Sequence, residues 1–169
     1  MKHFTTMLIF LLFALPCLAK EPIRTIEGTV TKVSDGDTIQ VMDNLGTKVK
    51  VRFYGIDAPE TEKSNKRTGH VSKEGQPYGE ESFKALQGKL NRQKVRLDIM
   101  AIDQYKRSVA LVWLGNRNIN LEMVSEGWAW AYKQYLDRPY SSEFIQNEEQ
   151  ARSKRLGLWK QSNPQPPWE

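Results

Sequence analysis

The stretch Thr38 to Tyr54, TIQVMDNLGTKVKVRFY, decides the fold class. Val49, Val51 and Phe53 alternate with Lys48, Lys50 and Arg52, the period-2 pattern of a strand with one buried and one wet face. Thr38 to Met42 is a second β-rich run, and Asp43-Asn44-Leu45-Gly46 between the two carries turn chemistry, so the pair reads as a β-hairpin.

Working outward, Ile26, Val30 and Val33 stand among Thr, Glu and Lys in a rough strand pattern that stops at the turn Ser34-Asp35-Gly36-Asp37. Downstream, Val95, Leu97 and Ile99 alternate with Arg96 and Asp98, and the apolar run Val109 to Leu114 ends at Gly115-Asn116. That predicts five strands. Phe83, Leu86 and Leu90 fall at helical spacing in Tyr78 to Leu90, with Glu80 and Glu81 in the first turn, where the helix dipole favours anions. Asn120 is expected to cap a short helix, Leu121 to Glu126, and Ser141 or Ser142 a third one running to Arg155. Thr61 to Pro77 has Val71 as its one apolar residue and reads as a mobile loop. Short β-connections without βαβ alternation predict a mainly β, α+β fold: a five-stranded OB-type β-barrel with three α-helices.

At the N-terminus, Lys2, the apolar run Met7 to Leu15, Pro16 and Cys17-Leu18-Ala19 form the pattern of a secretory signal peptide, residues 1–19. The run falls far short of the roughly 20 residues that span a bilayer, which argues against a permanent membrane anchor. Pro16 stands where a lipid-modified Cys17 would want a small residue, so export of a soluble protein to the periplasm or the medium is the stronger expectation. Residues 20–160 then form one domain, and 161–169, with Pro164, Pro166 and Pro167, a disordered tail. The chain has a single cysteine, lost with the signal, so disulfide and cysteine–metal chemistry are excluded from the mature protein. Losing Lys2 lowers the net charge from +5 to +4, a modest bias toward polyanionic partners.

Two acidic knots interrupt the strands, Asp35-Gly36-Asp37 and Asp57-Ala58-Pro59-Glu60. Each alone is an ordinary turn or strand exit. If the first and third strands are neighbours, however, Asp37 and Asp57 come together, and two close carboxylates call for a cation, with oxygen ligands selecting Ca²⁺ or Mg²⁺. Arg52 projects from the polar face of its strand, on the same run as Asp57, and Arg107 lies in the connection Asp103-Gln104-Tyr105-Lys106-Arg107. Two guanidinium groups converging there would clamp a phosphate. His3 and His70 are the only histidines, which argues against a serine-hydrolase triad or a His-based zinc site and makes Glu60 the leading candidate for a general base. Tyr105 and Tyr132 are candidate stacking partners for a nucleobase. The loop cations Lys63, Lys66, Arg67 and Lys73 could gather a polyanion beside Glu60.

Taken together, Asp35-Gly36-Asp37-Thr38, Arg52 to Ile56, Asp57-Ala58-Pro59-Glu60-Thr61, Tyr78-Gly79, Asp103-x-Tyr105-x-Arg107 and Leu156-Gly157-Leu158-Trp159 resemble, in order and spacing, the staphylococcal nuclease (thermonuclease) family. The resemblance implies an OB-fold barrel and a secreted, monomeric, Ca²⁺-dependent endonuclease that hydrolyses DNA and RNA, preferably single-stranded, to 3′-phosphate and 5′-hydroxyl ends. It further implies Asp37, Asp57 and the backbone carbonyl at Ala58 as metal ligands, Glu60 as the base that activates water, and Arg52 and Arg107 as the phosphate-binding pair. Ala58 replaces a family Thr, and Lys106 stands where Gly often precedes the arginine. The rival expectation is a non-catalytic OB-fold that binds single-stranded nucleic acid, although degenerate copies of that kind normally lose acidic residues, and here Asp37, Asp57 and Glu60 are present.

Overall fold

The computed structural model describes residues 20–65 and 67–169; the expected signal peptide, residues 1–19, and the loop cation Lys66 lie outside the described residues. In chain order the elements are β1 (Arg24–Asp35), β2 (Thr38–Asp43), β3 (Lys48–Phe53), β4 (Ile56–Asp57), β5 (Lys63–Ser64), β6 (Val71–Lys73), α1 (Gly79–Leu90), β7 (Lys94–Ile102), β8 (Ser108–Leu114), β9 (Arg117–Asn118), α2 (Ile119–Ser125), β10 (Trp130–Ala131) and α3 (Tyr140–Ser153). The five long strands lie in the order β3-β2-β1-β7-β8, and β3 pairs in parallel with β8 through Val51 with Ser108, Arg52 with Val109 and Phe53 with Ala110. That pairing closes the sheet into a barrel and removes its edges. The long β1 serves two partners, β7 over its first half and β2 over its second. They overlap at Gly28, where a Cβ would lie 2.4 Å from the Met42 carbonyl oxygen.

The apolar set of the β2–β3 hairpin faces inward, with Ile39, Val41, Val51 and Phe53 essentially inaccessible to water alongside Leu97, Leu111 and Val112. Leu86 and Leu90 of α1, Ile119, Met123 and Val124 of α2 and Phe144 of α3 extend the same core. Full burial contributes roughly 1.5–3 kcal/mol for each large apolar side chain. Asp43 organises the hairpin turn: its carboxylate accepts the Leu45 and Thr47 amides, and Gly46 takes φ 78°.

Several local expectations are corrected. Asn118, not Asn120, caps α2, its Oδ1 accepting the Leu121 amide, because Asn120 is fully buried and its amide group is spent on the barrel. The third helix begins at Tyr140 after Pro139, with no serine cap. The supposed continuous run to Asp57 breaks at Tyr54–Gly55, where Gly55 turns at φ 71° and β4 leaves the barrel to pair with β10. The loop after Glu60 holds a small hairpin, β5 with β6. Residues 161–169 carry no helix or strand, yet they are not a free tail: the Trp168 ring stacks on Tyr132 at 4.7 Å and 2° and meets Trp130 edge-on at 6.4 Å. Aromatic burial offsets the ordering entropy, which Pro166 and Pro167 have already reduced.

Candidate active site

The β1–β2 turn and the β4 segment meet through Arg52. The first and third strands are not the neighbours that the sequence reading supposed: β2 runs between β1 and β3, and the Thr38–Arg52 pair sets the guanidinium beside the turn. Arg52 Nη1 donates to Asp37 Oδ1 at 3.0 Å, and Nη2 forms an ion pair with Asp57. Asp37 also accepts the Thr38 hydroxyl at 2.9 Å and, through Oδ2, the Ala58 amide at 2.9 Å. Gly36 is dictated by contact, since a Cβ there would lie 1.9 Å from Ser82 Oγ and 2.7 Å from the Ala58 Cβ. Burial raises both Asp37 and Asp57 above the ordinary carboxylate range against the opposing pull of Arg52. Asp35, at the end of β1, is pushed up to about 7, first by burial and then by the charge of Asp37. Two buried carboxylates thus share one guanidinium, and the site is short of positive charge.

Glu60 is braced on its backbone by one residue: its amide donates to Gln76 Oε1 at 3.0 Å and its carbonyl accepts the Gln76 amide at 2.9 Å. Gly79, at the start of α1, permits this closeness, because a Cβ would lie 2.1 Å from the Glu60 oxygen. The β5–β6 hairpin then delivers two cations. Lys73 Nζ lies 2.7 Å from Glu60 Oε1, and Lys63 Nζ sits 3.6 Å from Glu60 Oε2 and 3.7 Å from Asp35 Oδ2. Glu60 Oε2 is buried without a hydrogen-bond partner among the described residues. Burial would raise the Glu60 carboxyl, but Lys73 and Lys63 outweigh it and hold the group below its usual range.

Arg107 stands one residue before β8, and Val109 of that strand pairs with Arg52, so the alternation of the strand sets both arginines on the same face of adjacent strands. Its Nε donates to Asp103 Oδ2 at 2.6 Å, and its amide to Asp103 Oδ1 at 2.8 Å. Lys106 occupies the left-handed region at φ 62°, which explains a preference for glycine there and shows that the loop closes without one. Tyr105 is exposed and lies beneath the Arg107 guanidinium at 5.4 Å. Tyr132 is tied to the β4 side of the site by its amide, which donates to Gly55 O at 2.9 Å, and its phenol is raised first by burial and then by Tyr135 and Asp57. The sequence reading missed Gln76 and the pairing of Lys63 and Lys73 with Glu60. The spacing of Glu60 and Lys63 by three residues hints at one of these contacts; the others join residues 13 to 16 positions apart by a fold-back that no local pattern announces.

The family described as "Staphylococcal nuclease homologue" matches residues 50–161, which includes Arg52, Asp57, Glu60 and Arg107. The chain belongs to the staphylococcal nuclease family. It is 39% identical over 135 residues to a Haemophilus influenzae protein named "Uncharacterized endonuclease", a match covering 80% of this chain and 67% of that one. It is 36% identical over 150 residues to a "Micrococcal nuclease" of Shigella flexneri, covering 83% and 78%. The "Endonuclease Htp3" of Saprolegnia parasitica is 34% identical over 156 residues, covering 80% and 71%.

Among the described residues no three or more His, Cys, Asp or Glu side chains are grouped to hold a metal ion unaided. A cation here would draw on the Asp37 and Asp57 carboxylates, backbone oxygen and water. The donors are all hard oxygens, and both carboxylates are raised by burial, so a Ca²⁺ ion fits the chemistry of the site and its charge deficit. No helix of the described residues is long and apolar enough to cross a membrane.

Proposed function

We propose that this chain is a Ca²⁺-dependent endonuclease that hydrolyses phosphodiester bonds of DNA and RNA, exported through residues 1–19 and working as a monomer on single-stranded substrate. The observation that carries the reading is the meeting of Arg52, Asp37 and Asp57 from separate elements, with Glu60 three residues after Asp57 in a backbone-braced position. Glu60 accepts the proton of a water that attacks phosphorus, and its low-lying carboxyl keeps it in the charged, proton-accepting form at neutral pH. Arg52 has five N–H donors, of which the two aspartates engage only part, and Arg107 lies on the same barrel face. Both can donate to the phosphate oxygens and stabilise the added charge of the transition state, a contribution of order 10²–10³ in rate for one well-aimed donor. Ca²⁺ bound by Asp37, Asp57 and the Ala58 carbonyl would supply further positive charge against the phosphate.

The test is incubation of the protein with single-stranded DNA in Ca²⁺ or in chelator, alongside Glu60→Gln. Cleavage confined to Ca²⁺ and abolished in the variant, with DNA binding retained, supports the proposal. Equal products in both tubes, or undiminished cleavage by Glu60→Gln, would remove it, and binding without any cleavage by the wild type would identify a non-catalytic OB-fold.

A further inference from the structure

Tyr132 cannot receive a nucleobase on the face where Trp168 already lies. The two rings are parallel within 2° at 4.7 Å, and Tyr135 meets Tyr132 at 4.8 Å and 69°. A base replacing the indole would exchange one aromatic stack for another of similar worth and would also lose the Trp168 contact with Trp130. The net gain is close to nothing. Trp168 itself is 44% exposed, although Tyr132 covers one face and Trp130 meets it edge-on, so the outer face of its indole is open to solvent. A base added to that face displaces nothing and gains a full stack. Pro166 and Pro167 fix the chain just before the ring, so little entropy is lost when it is loaded.

The surroundings fit a polyanion with bases. Beside the stacked pair is a groove of ≈ 270 Å³ bordered by Trp130, Tyr132, Lys133, Glu148, Arg152 and Trp168; Arg152 pairs with Glu148 at 3.5 Å, which leaves Lys133 as the cation for a phosphate flanking a stacked base. Trp130 pairs with Asp57 across β10 and β4, so the groove adjoins the carboxylate site without being part of it. We infer that Trp168 is a nucleobase-stacking platform that binds single-stranded nucleic acid at the edge of the proposed active site. The inference deepens the nuclease reading and rests on it for the identity of the substrate. Duplex bases are already stacked on one another and cannot use the platform.

The experiment measures binding of fluorescently labelled oligothymidylate by anisotropy in chelator, where cleavage is suppressed, for wild type, Trp168→Ala and Trp168→Phe. Trp168→Ala should bind about 5- to 150-fold more weakly, the ratio equivalent to about 1–3 kcal/mol per stacked base, and Trp168→Phe should recover most of the loss. An abasic oligonucleotide of the same length and a duplex should bind wild type and Trp168→Ala alike, an outcome that a merely structural role would not give. Equal affinity for oligothymidylate in wild type and Trp168→Ala overturns the inference, as does tighter binding by the variant, which would make the segment a cap on Tyr132. Wild-type cleavage in Ca²⁺ is scored separately, so failure of the nuclease reading and failure of the platform are distinguishable.

Discussion

Replacing Asn120 by leucine should cost the protein about 2–6 kcal/mol. Asn120 is wholly inaccessible to solvent, its Oδ1 accepts the Val112 amide at 2.8 Å, and its Nδ2 donates to the carbonyls of Tyr54 at 2.9 Å and Ala110 at 3.0 Å. The Ala110 carbonyl keeps a second partner, the Tyr54 amide at 2.8 Å, so leucine strands two backbone groups, Val112 N–H and Tyr54 C=O. Each buried orphan costs about 1–3 kcal/mol, and the bulk of leucine leaves no room for a replacement water. Against a typical stability of about 5–15 kcal/mol the loss is large. It falls where the chain leaves β3 for β4, the segment that carries Asp57. Urea unfolding followed by far-UV circular dichroism measures it: the midpoint should fall by about 2 M for a loss near 4 kcal/mol at a slope of about 2 kcal/mol/M, with the slope unchanged. A loss below about 1 kcal/mol would refute the reasoning, because it would mean that those backbone groups are satisfied some other way.

Lys73→Met removes the closest cation from Glu60, so the carboxyl rises, and the acidic limb of the pH–kcat/KM profile should move to higher pH; a profile that keeps its position would show that Lys73 has left Glu60 in the working enzyme. Asp35 titrates near 7 when folded against an ordinary 3.8, so in chelator its burial penalty is absent below about pH 4, grows as the pH rises, and is complete above about 7. Asp35→Asn should therefore flatten the loss of thermal stability between those limits, and curves for wild type and variant that run parallel across the window would exclude Asp35 as its source.

The sequence by itself determined the barrel class and most of the chemistry-bearing residues. Alternation in Lys48 to Phe53 depends only on a period of two and a wet face, so Val51 and Phe53 could be assigned to the core and Arg52 to the other side before any contact was known. Composition likewise left oxygen ligands and a carboxylate base as the available chemistry, because the described chain offers His70 as its one histidine and holds no cysteine. The tertiary structure alone decided how these residues meet. Asp37 reaches Asp57 through the pairing of β2 with β3 and the span of one guanidinium, not through a direct pairing of β1 with β3. Asn120 could cap a helix by local rule, yet the barrel claims its amide because three backbone groups around it are already sealed from water. The cations of a polar loop became partners of Glu60, and a proline-rich terminus became the bed of Trp168, for a common reason. Local patterns report which face of a segment is apolar, whereas which polar or aromatic group another segment supplies depends on contacts between residues far apart in the chain, and those exist only once the core has fixed the elements in place.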